Sequence, residues 1–151
     1  MNGKRKICLI SSHGGHLREL LAATENVREK KYIVTHRAIH AEEILAGVKH
    51  YFILDPHLSF FKFAVNFFQS LKHILREKPD VIVSTGAGIV IPSILLGKYL
   101  LKSKLIFIES AANVVNPSRT GRFLYSRADL FLIQWPEMAR YYPRAVYCGL
   151  V

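Results

Sequence analysis

Two imidazoles flank a glycine pair in the run Ser11-Ser12-His13-Gly14-Gly15-His16. Histidine titrates close to neutral pH and can take a proton from an attacking hydroxyl. Adjacent glycines let the backbone adopt positive φ and come close to a ligand. The flanking pattern adds a second property. Ile7 to Ile10 is a short apolar run that reads as a buried strand, and from His16 onward Leu17, Leu20 and Leu21 recur at helical spacing, with Arg18, Glu19 and Glu25 on the other side. A strand-to-helix joint of this kind aims free N–H groups and a positive dipole end at the space above the glycines. Ser12, Gly14 and Gly15 are therefore candidate binding residues and His16 a candidate general base, while His13 reads as an exposed turn residue. A tight turn without a ligand is the other reading of a lone Gly-Gly. The G-x-G-x-x-G dinucleotide spacing is absent, as is the G-x-x-x-x-G-K-[ST] phosphate loop.

A second glycine turn, Ser84-Thr85-Gly86-Ala87-Gly88, follows the apolar run Asp80 to Ser84. The elements around these turns alternate. Strands are expected near Tyr32–Thr35, Tyr51–Leu54, Asp80–Ser84, Leu105–Ile108 and Leu130–Ile133, with a short one at Ala145–Tyr147. Helices are expected near Ala38–Ala46, Ser59–Glu77, Ile89–Leu101 and Arg122–Ser126, with a helical turn at Glu137–Tyr141. Such alternation predicts a single Rossmann-like α/β domain over residues 1–151, a doubly wound parallel sheet with helices on both faces. Ligands bind such sheets outside the carboxyl ends of the strands, where the strand order reverses, so the two glycine turns should face each other across one crevice. Thr85, Gly86 and Gly88 join the candidate binding residues. Glu109 ends the fifth strand and opens the long loop ESAANVVNPSRTG, in which a carboxylate can orient His16, bind a sugar hydroxyl, or pair with Arg119 or Arg122.

The composition narrows the class. The 151 residues are 50% hydrophobic, enough for one core. Cys8 and Cys148 form neither a zinc pattern nor a disulfide framework, which suits a reducing cytosol, and both read as buried small hydrophobes. No metal site is expected. The start of the chain fits neither a secretory signal nor a membrane span, and the apolar stretch Ile89 to Leu101 is broken by Pro92, Ser93, Gly97 and Lys98, so no transmembrane helix is expected. A net charge of +10 calls for an acidic partner or surface. Lys4 to Lys6, Lys30, Lys31, Lys78, Lys102 and Lys104 precede strands and should share one rim of the sheet. Arg37, Arg119 and Arg122 follow strands and should lie at the other rim. No single element carries an aromatic and basic stripe, which argues against a nucleic-acid partner.

Two segments read as surfaces. The helix from Phe60 to Leu75 carries Phe60, Phe61, Phe63, Phe67 and Phe68, and its apolar arc covers roughly 200°, against the stripe of about 100° that a surface helix needs for its own core. Some of these rings should be exposed, and with Lys62, Lys72 and Arg76 beside them the helix can rest in the interface of an anionic bilayer. Burial on both sides by neighbouring elements is the other reading. The run Leu132-Ile133-Gln134-Trp135-Pro136 carries the single tryptophan to the ligand-facing rim, where Gln134 and Trp135 are candidates for a partner interface. A Trp135 filling its own core is the alternative.

With SSHGGHLREL, PDVIVSTGAG, IFIESAANV, SRTGRFLYSRAD and LIQWPEMARYYPRAVYCGLV in view, the chain resembles the bacterial capsule and exopolysaccharide glycosyltransferase subunits of the PssD/CpsF type. These are similar to the acceptor-side membrane subunit of the eukaryotic split enzyme that adds the second N-acetylglucosamine to the dolichol-linked oligosaccharide. The glycine turns also resemble the N-terminal half of MurG-like GT-B glycosyltransferases. The resemblance implies the acceptor-binding half of a split, inverting enzyme, with a polyprenyl-diphosphate-linked sugar as acceptor. The UDP-sugar donor would be held mainly by a separate catalytic subunit, and this chain would need no cofactor of its own. It places Gly14, Gly15 and His16 at the acceptor, with Gly86, Gly88 and Glu109 facing the same cleft and Asn113 and Arg119 as further acceptor contacts. It also implies a cytoplasmic protein peripheral on the inner face of the membrane and inactive alone, since the donor domain of a fused enzyme would follow Val151. The rival function is a non-catalytic recruiter that anchors its partner, with His16 purely structural.

Overall fold

The computed structural model describes residues 5–39, 41–57 and 59–151; Lys4, assigned above to the basic rim, lies outside them. Seven parallel strands form one sheet: β1 (Lys6–Ser11), β2 (Lys30–Thr35), β3 (His50–Phe52), β4 (Val81–Gly86), β5 (Lys104–Ile108), β6 (Leu130–Ile133) and β7 (Val146–Tyr147), in the order β3-β2-β1-β4-β5-β6-β7. The order reverses between β1 and β4, so the two glycine turns leave neighbouring strands. Their pairing shifts register between Ile10 and Ser11, setting Ser11 opposite Gly86. The helices are α1 (Gly15–Ala23), α2 (Ala41–Ile44), α3 (Phe60–Glu77), α4 (Ile91–Leu95) and α5 (Arg119–Tyr125). No helix among the described residues is long and apolar enough to cross a membrane.

Alternation along the strands builds a core on each face. Leu9, Ile33, Val83 and Ile108 pack with Leu17 and Leu20 of α1 and with Leu45. Cys8, Ile10, Tyr32, Ile82, Phe107 and Phe131 point the other way, towards Ile74, Ile94, Leu124 and Met138. Cys8 is buried as expected, and burial pushes its thiol up to about 12; Cys148 is exposed, contrary to expectation, because it follows the short edge strand β7. The helix expected over Ile89–Leu101 opens with a 3-10 turn at Gly88–Val90 and ends as a π turn at Leu96–Leu100. Gly97 lies so close to β4 that a Cβ there would overlap the Ile82 side chain.

α3 is attached by its polar side to the loop after β3 and the start of α4, and at its far end to β1 and β3. Asn66, Ser70, His73, Ile74 and Glu77 are buried, whereas Phe60, Phe61 and Phe68 are 87%, 77% and 66% exposed. Asn66 Nδ2 donates to the carbonyls of Leu54 (2.7 Å) and Ile89 (3.2 Å), and Ser70 Oγ donates to Asn66 Oδ1 (3.2 Å). Ser93 Oγ donates to Ser70 Oγ (2.7 Å) and meets His73 Nε2 at 3.0 Å. At the far end the Glu77 carboxylate takes Lys49 at 2.7 Å, Lys6 at 3.3 Å and the Tyr51 hydroxyl. Every rung satisfies a group that would otherwise be costly to bury. The lysines at the amino rim are partly neutralised in place, with Asp129 bridging Lys98 (2.7 Å) and Lys104 (3.1 Å).

This ladder sets the acid response. Burial lowers the His73 imidazole to about 4, so between the usual histidine value near 6.5 and that value the unfolded chain binds the extra proton and stability falls as pH falls. Burial pushes Glu77 upward, but the hydrogen bonds from Lys49, Tyr51 and Lys6 overcome it and hold the carboxyl at about 2. Its stabilisation is complete above the ordinary carboxylate value and is lost as pH drops towards 2. Urea denaturation at a series of pH values should therefore show two stages of acid loss. His73→Gln should remove the upper one, whose slope is at most about 1.4 kcal/mol per pH unit, and leave the lower one; an unchanged slope between pH 6.5 and 4 contradicts the assignment.

Candidate functional site

The N-terminal end of α1 is built for open approach. Gly14 caps the helix at φ 91° with no side-chain hydrogen bond, a conformation costly for any residue with a Cβ. A Cβ on Gly14, Gly15 or Gly88 would meet nothing within 4 Å. Packing therefore does not dictate glycine at Gly15 or Gly88, and both border free space at the carboxyl rim. Gly86 has φ 110° and lies against the Phe107 ring, and Ala87 also has positive φ (81°), so the second turn is bent sharply.

A cleft of about 370 Å³ opens beside this helix end, walled by Gly15, His16 and Glu19 of α1, by Ser110, Ala111 and Ala112 of the loop after β5, and by Val151. His16 is one-third exposed. Its Nδ1 is buried without a hydrogen bond and lies 3.9 Å from Glu19 Oε2. The other carboxylate oxygen, Glu19 Oε1, accepts from the Ala111 N–H (2.6 Å) and from Gln134 Nε2 (2.6 Å). The acid is thus held by the β5 loop and the end of β6 while its free side faces the imidazole. A histidine with a fixed carboxylate behind one nitrogen and solvent in front of the ring is arranged to accept a proton from a hydroxyl in the cleft.

Glu19 is the residue that sequence reading missed. Its spacing puts it on the outer side of α1, yet its side chain is only 10% exposed; the available signal is its position three residues after His16, on the same helical face. Glu109, expected as the partner of His16, is 1% exposed and saturated elsewhere. Its Oε2 accepts from the Tyr142 hydroxyl (2.8 Å), and its Oε1 from Asn113 Nδ2 (2.8 Å) and the Ser118 N–H (3.3 Å). Glu109 thus shapes the loop that walls the cleft. Its alternative ion pairs with Arg119 or Arg122 do not form among the described contacts. Burial, together with the bond to Glu109, keeps the Tyr142 hydroxyl protonated far above its ordinary range. A Cβ on Gly121 would overlap Glu109 Oε2, so the acid and this glycine are a matched pair.

Other expected contacts are also reassigned. The Thr85 hydroxyl is buried and donates to the His16 carbonyl (2.8 Å), tying β4 to α1 in place of reaching a ligand. Asn113 is spent on Glu109. Gln134 is 1% exposed, its amide bonded to Glu19, to the Glu109 carbonyl (3.1 Å) and to the Val151 N–H (3.0 Å), so it is an internal strut and offers nothing to a partner. Trp135 is half-buried, its Nε1 donating to the Ala111 carbonyl (2.7 Å). Ser12 is half-buried beside Gly14, and Arg119 is exposed at the first turn of α5. His13, expected in solvent, is half-buried with its N–H donating to His36 Nδ1 (3.2 Å).

The family described as "Oligosaccharide biosynthesis protein Alg14 like" matches residues 55–151, a span that includes the second glycine turn and the Glu109 loop and begins after His16. The UDP-N-acetylglucosamine transferase subunit alg14 of Schizosaccharomyces pombe is 43% identical over 77 residues, 48% of this chain and 37% of that protein. The corresponding subunit ALG14 of Homo sapiens is 35% identical over 83 residues, 52% of this chain and 38% of that protein. The chain thus spans less than half the length of these relatives. The crystal structure of Acinetobacter baumannii MurG superposes with a TM-score of 0.72 at 15% identity, over 88% of this chain and 42% of that one, a likeness of fold.

The glycines separate packing from access. Gly121→Ala should destabilise the protein by about 1–3 kcal/mol, because the methyl displaces Glu109 from Tyr142. Gly15→Ala should leave the melting temperature unchanged or slightly raised. Thermal unfolding of the two variants checks both; equal losses would show that the α1 terminus is packed rather than open.

Proposed function

The chain belongs to the Alg14-like oligosaccharide-biosynthesis family, and from that premise we propose that it is the acceptor-side subunit of a split, inverting GT-B glycosyltransferase. In this reading the catalytic partner holds the UDP-sugar, with N-acetylglucosamine favoured by the names of the relatives, and this chain presents a polyprenyl-diphosphate-linked sugar in the cleft beside His16. Bacterial capsule or exopolysaccharide assembly is the setting that the sequence resemblance suggests. The observation that carries the proposal is the His16–Glu19 pair at the open end of α1. In the reaction the acceptor hydroxyl would hydrogen-bond to His16 and lose its proton to the imidazole as its oxygen attacks the anomeric carbon. The bond from that carbon to the diphosphate of the donor breaks, and UDP leaves. Glu19 orients the ring and stabilises the imidazolium.

Membrane contact forms part of the same proposal. The apolar side of α3 faces outward, and Phe60 and Phe61 at its first turn are largely exposed, as an interfacial helix at the surface of a bilayer requires. Lys62 is exposed beside them.

Reconstitution with the catalytic partner tests the chemistry. His16→Ala should lower turnover by about 10² to 10⁴ without loss of complex, and Glu19→Gln should give a smaller loss in kcat than in the His16 variant. Activity within twofold of the parent for His16→Ala would leave only the recruiter role, as would UDP-sugar transfer by the partner alone. Vesicle flotation tests the anchor: Phe60→Ser with Phe61→Ser should weaken retention on anionic liposomes, and unchanged flotation rules this helix out.

A further inference from the structure

The N-terminal end of α1 is tied to its neighbours from two sides. On the β4 side the Thr85 hydroxyl donates to the His16 carbonyl at 2.8 Å, and neither group titrates near neutral pH. On the β2 side the His13 N–H donates to His36 Nδ1 at 3.2 Å, and His36 directly follows Thr35, the last residue of β2. Gly14 brings no side-chain cap and sits at φ 91°. Among the described residues, His36 is the one side chain that hydrogen-bonds the turn residues Ser12, His13 and Gly14.

This second tie depends on one proton. A ring nitrogen that accepts a hydrogen bond carries no proton of its own, so His36 is neutral in this arrangement, with its proton on Nε2. A further proton can enter only at Nδ1, where it meets the His13 N–H head on, and the bond is lost. Burial holds the His36 imidazole below its ordinary range; the Asp55 charge opposes this, and the His13 and His57 imidazoles add to it. At neutral pH the tie is therefore closed.

The surroundings give a charged ring somewhere to go. His36 lines a cavity of about 330 Å³ at the carboxyl ends of β2 and β3, together with Arg37, Asp55, His57 and Lys62. Asp55 attracts the charged ring, although His57 shares it: Asp55 Oδ1 accepts the His57 N–H (3.0 Å), and Oδ2 lies 4.0 Å from His57 Nε2. Arg37 and Lys62 repel the charged ring from the exposed side, and Arg37 is itself 3.5 Å from Glu42. The His13 ring stands edge-on to His36, with centroids 6.2 Å apart. It offers no substitute tie, since its own Nδ1 is buried without a hydrogen-bond partner.

We infer that His36 is a positioning residue for the cleft: its neutral imidazole holds the glycine turn and the first turn of α1, and protonation at Nδ1 releases them. The inference rests on the general-base reading of His16 above and adds a regulation to it. His36 touches neither donor nor acceptor; it acts through the His13 N–H on Gly14, Gly15 and His16, which follow in the chain. The step is uptake of one proton from water at Nδ1, after which the His13 N–H is left to the solvent. A general base must also be unprotonated, so both imidazoles lower turnover on acidification and the test has to part them.

Asparagine parts them, because its Oδ1 can take the place of Nδ1 as acceptor and does not titrate. Amide spectra of the whole chain test the bond without the catalytic partner. The His13 amide proton should shift with the His36 ring resonances at one shared midpoint, below the usual histidine value near 6.5. In His36→Asn that transition should vanish with the amide still downfield, and in His36→Ala the amide should keep its acid position at every pH. In the reconstituted pair, His36→Asn should hold kcat/KM for the acceptor within about twofold of the parent near pH 8, where imidazole is neutral. Below the His36 midpoint it should exceed the parent by about three- to tenfold, a ratio in which the titration of His16 cancels. His36→Ala should lose about the same factor already near pH 8. A His13 amide that ignores the His36 titration overturns the inference, and it needs no variant to be seen. A His36→Asn profile that runs parallel to the parent's overturns it too. Either result leaves the reading of His16 standing. Full activity of His16→Ala would instead remove that reading, while the amide titration still decides whether His36 holds the turn.

Discussion

The carboxyl rim of the sheet depends on two carboxylates that serve loops which cannot satisfy themselves. A strand that ends beside its neighbours leaves the next residues without ladder partners, and buried backbone N–H groups left unpaired are costly. Glu19 supplies an acceptor to Ala111 and to Gln134, and Glu109 supplies acceptors to Ser118, Asn113 and Tyr142. Gln134 joins the two by bonding the Glu109 carbonyl. The wall of the cleft is thus a hydrogen-bonded frame that runs from α1 through the β5 loop to β6. His16 is placed by the same frame, since Glu19 is both a strut of the wall and the nearest acid to its ring. A change at Gly121, far along the chain from His16, reaches the site through this frame.

α3 obeys the opposite logic. Its buried residues are mostly polar and its exposed ones are large and apolar, which reverses the usual pattern of a surface helix. Directional bonds fix its rotation: turning the helix to bury its phenylalanines would strand Asn66, Ser70, His73 and Glu77 without partners. The chain spends its hydrogen-bonding groups beneath the helix and leaves Phe60, Phe61 and Phe68 exposed.

Much of this architecture is legible in the sequence because it follows local periods. Apolar runs and helical spacing locate the strands and the long helix, and the usual strand order of a doubly wound sheet brings the two glycine turns to one crevice. The excess width of the apolar arc on α3 leaves two readings, exposed rings or burial on both sides, and the structure shows the first. Boundaries set by single contacts escape the pattern: α5 begins at Arg119 because Ser118 Oγ accepts the Gly121 N–H (2.8 Å), and the π turn answers to the approach of Gly97 to β4. The role of Glu19 was hidden for a different reason. Its partners lie 92 and 115 residues away, and nothing in the spacing of a helix reports them. Glu109 was legible as a strand-end carboxylate, but its commitment to Tyr142 depends on a turn 33 residues further on.

The polar underside of α3 also bears on temperature. Contacts made by apolar burial carry a large heat-capacity change and weaken on cooling, whereas exposure of polar groups contributes with the opposite sign. Separation of α3 from the rest of the domain exposes an amide, three hydroxyls, an imidazole and a carboxylate alongside Ile74, so its local heat-capacity increment is small compared with that of the two aliphatic cores. The seating of this helix should therefore vary little between a cold and a warm cell, while the cores on either side of it follow the curved stability of ordinary hydrophobic packing.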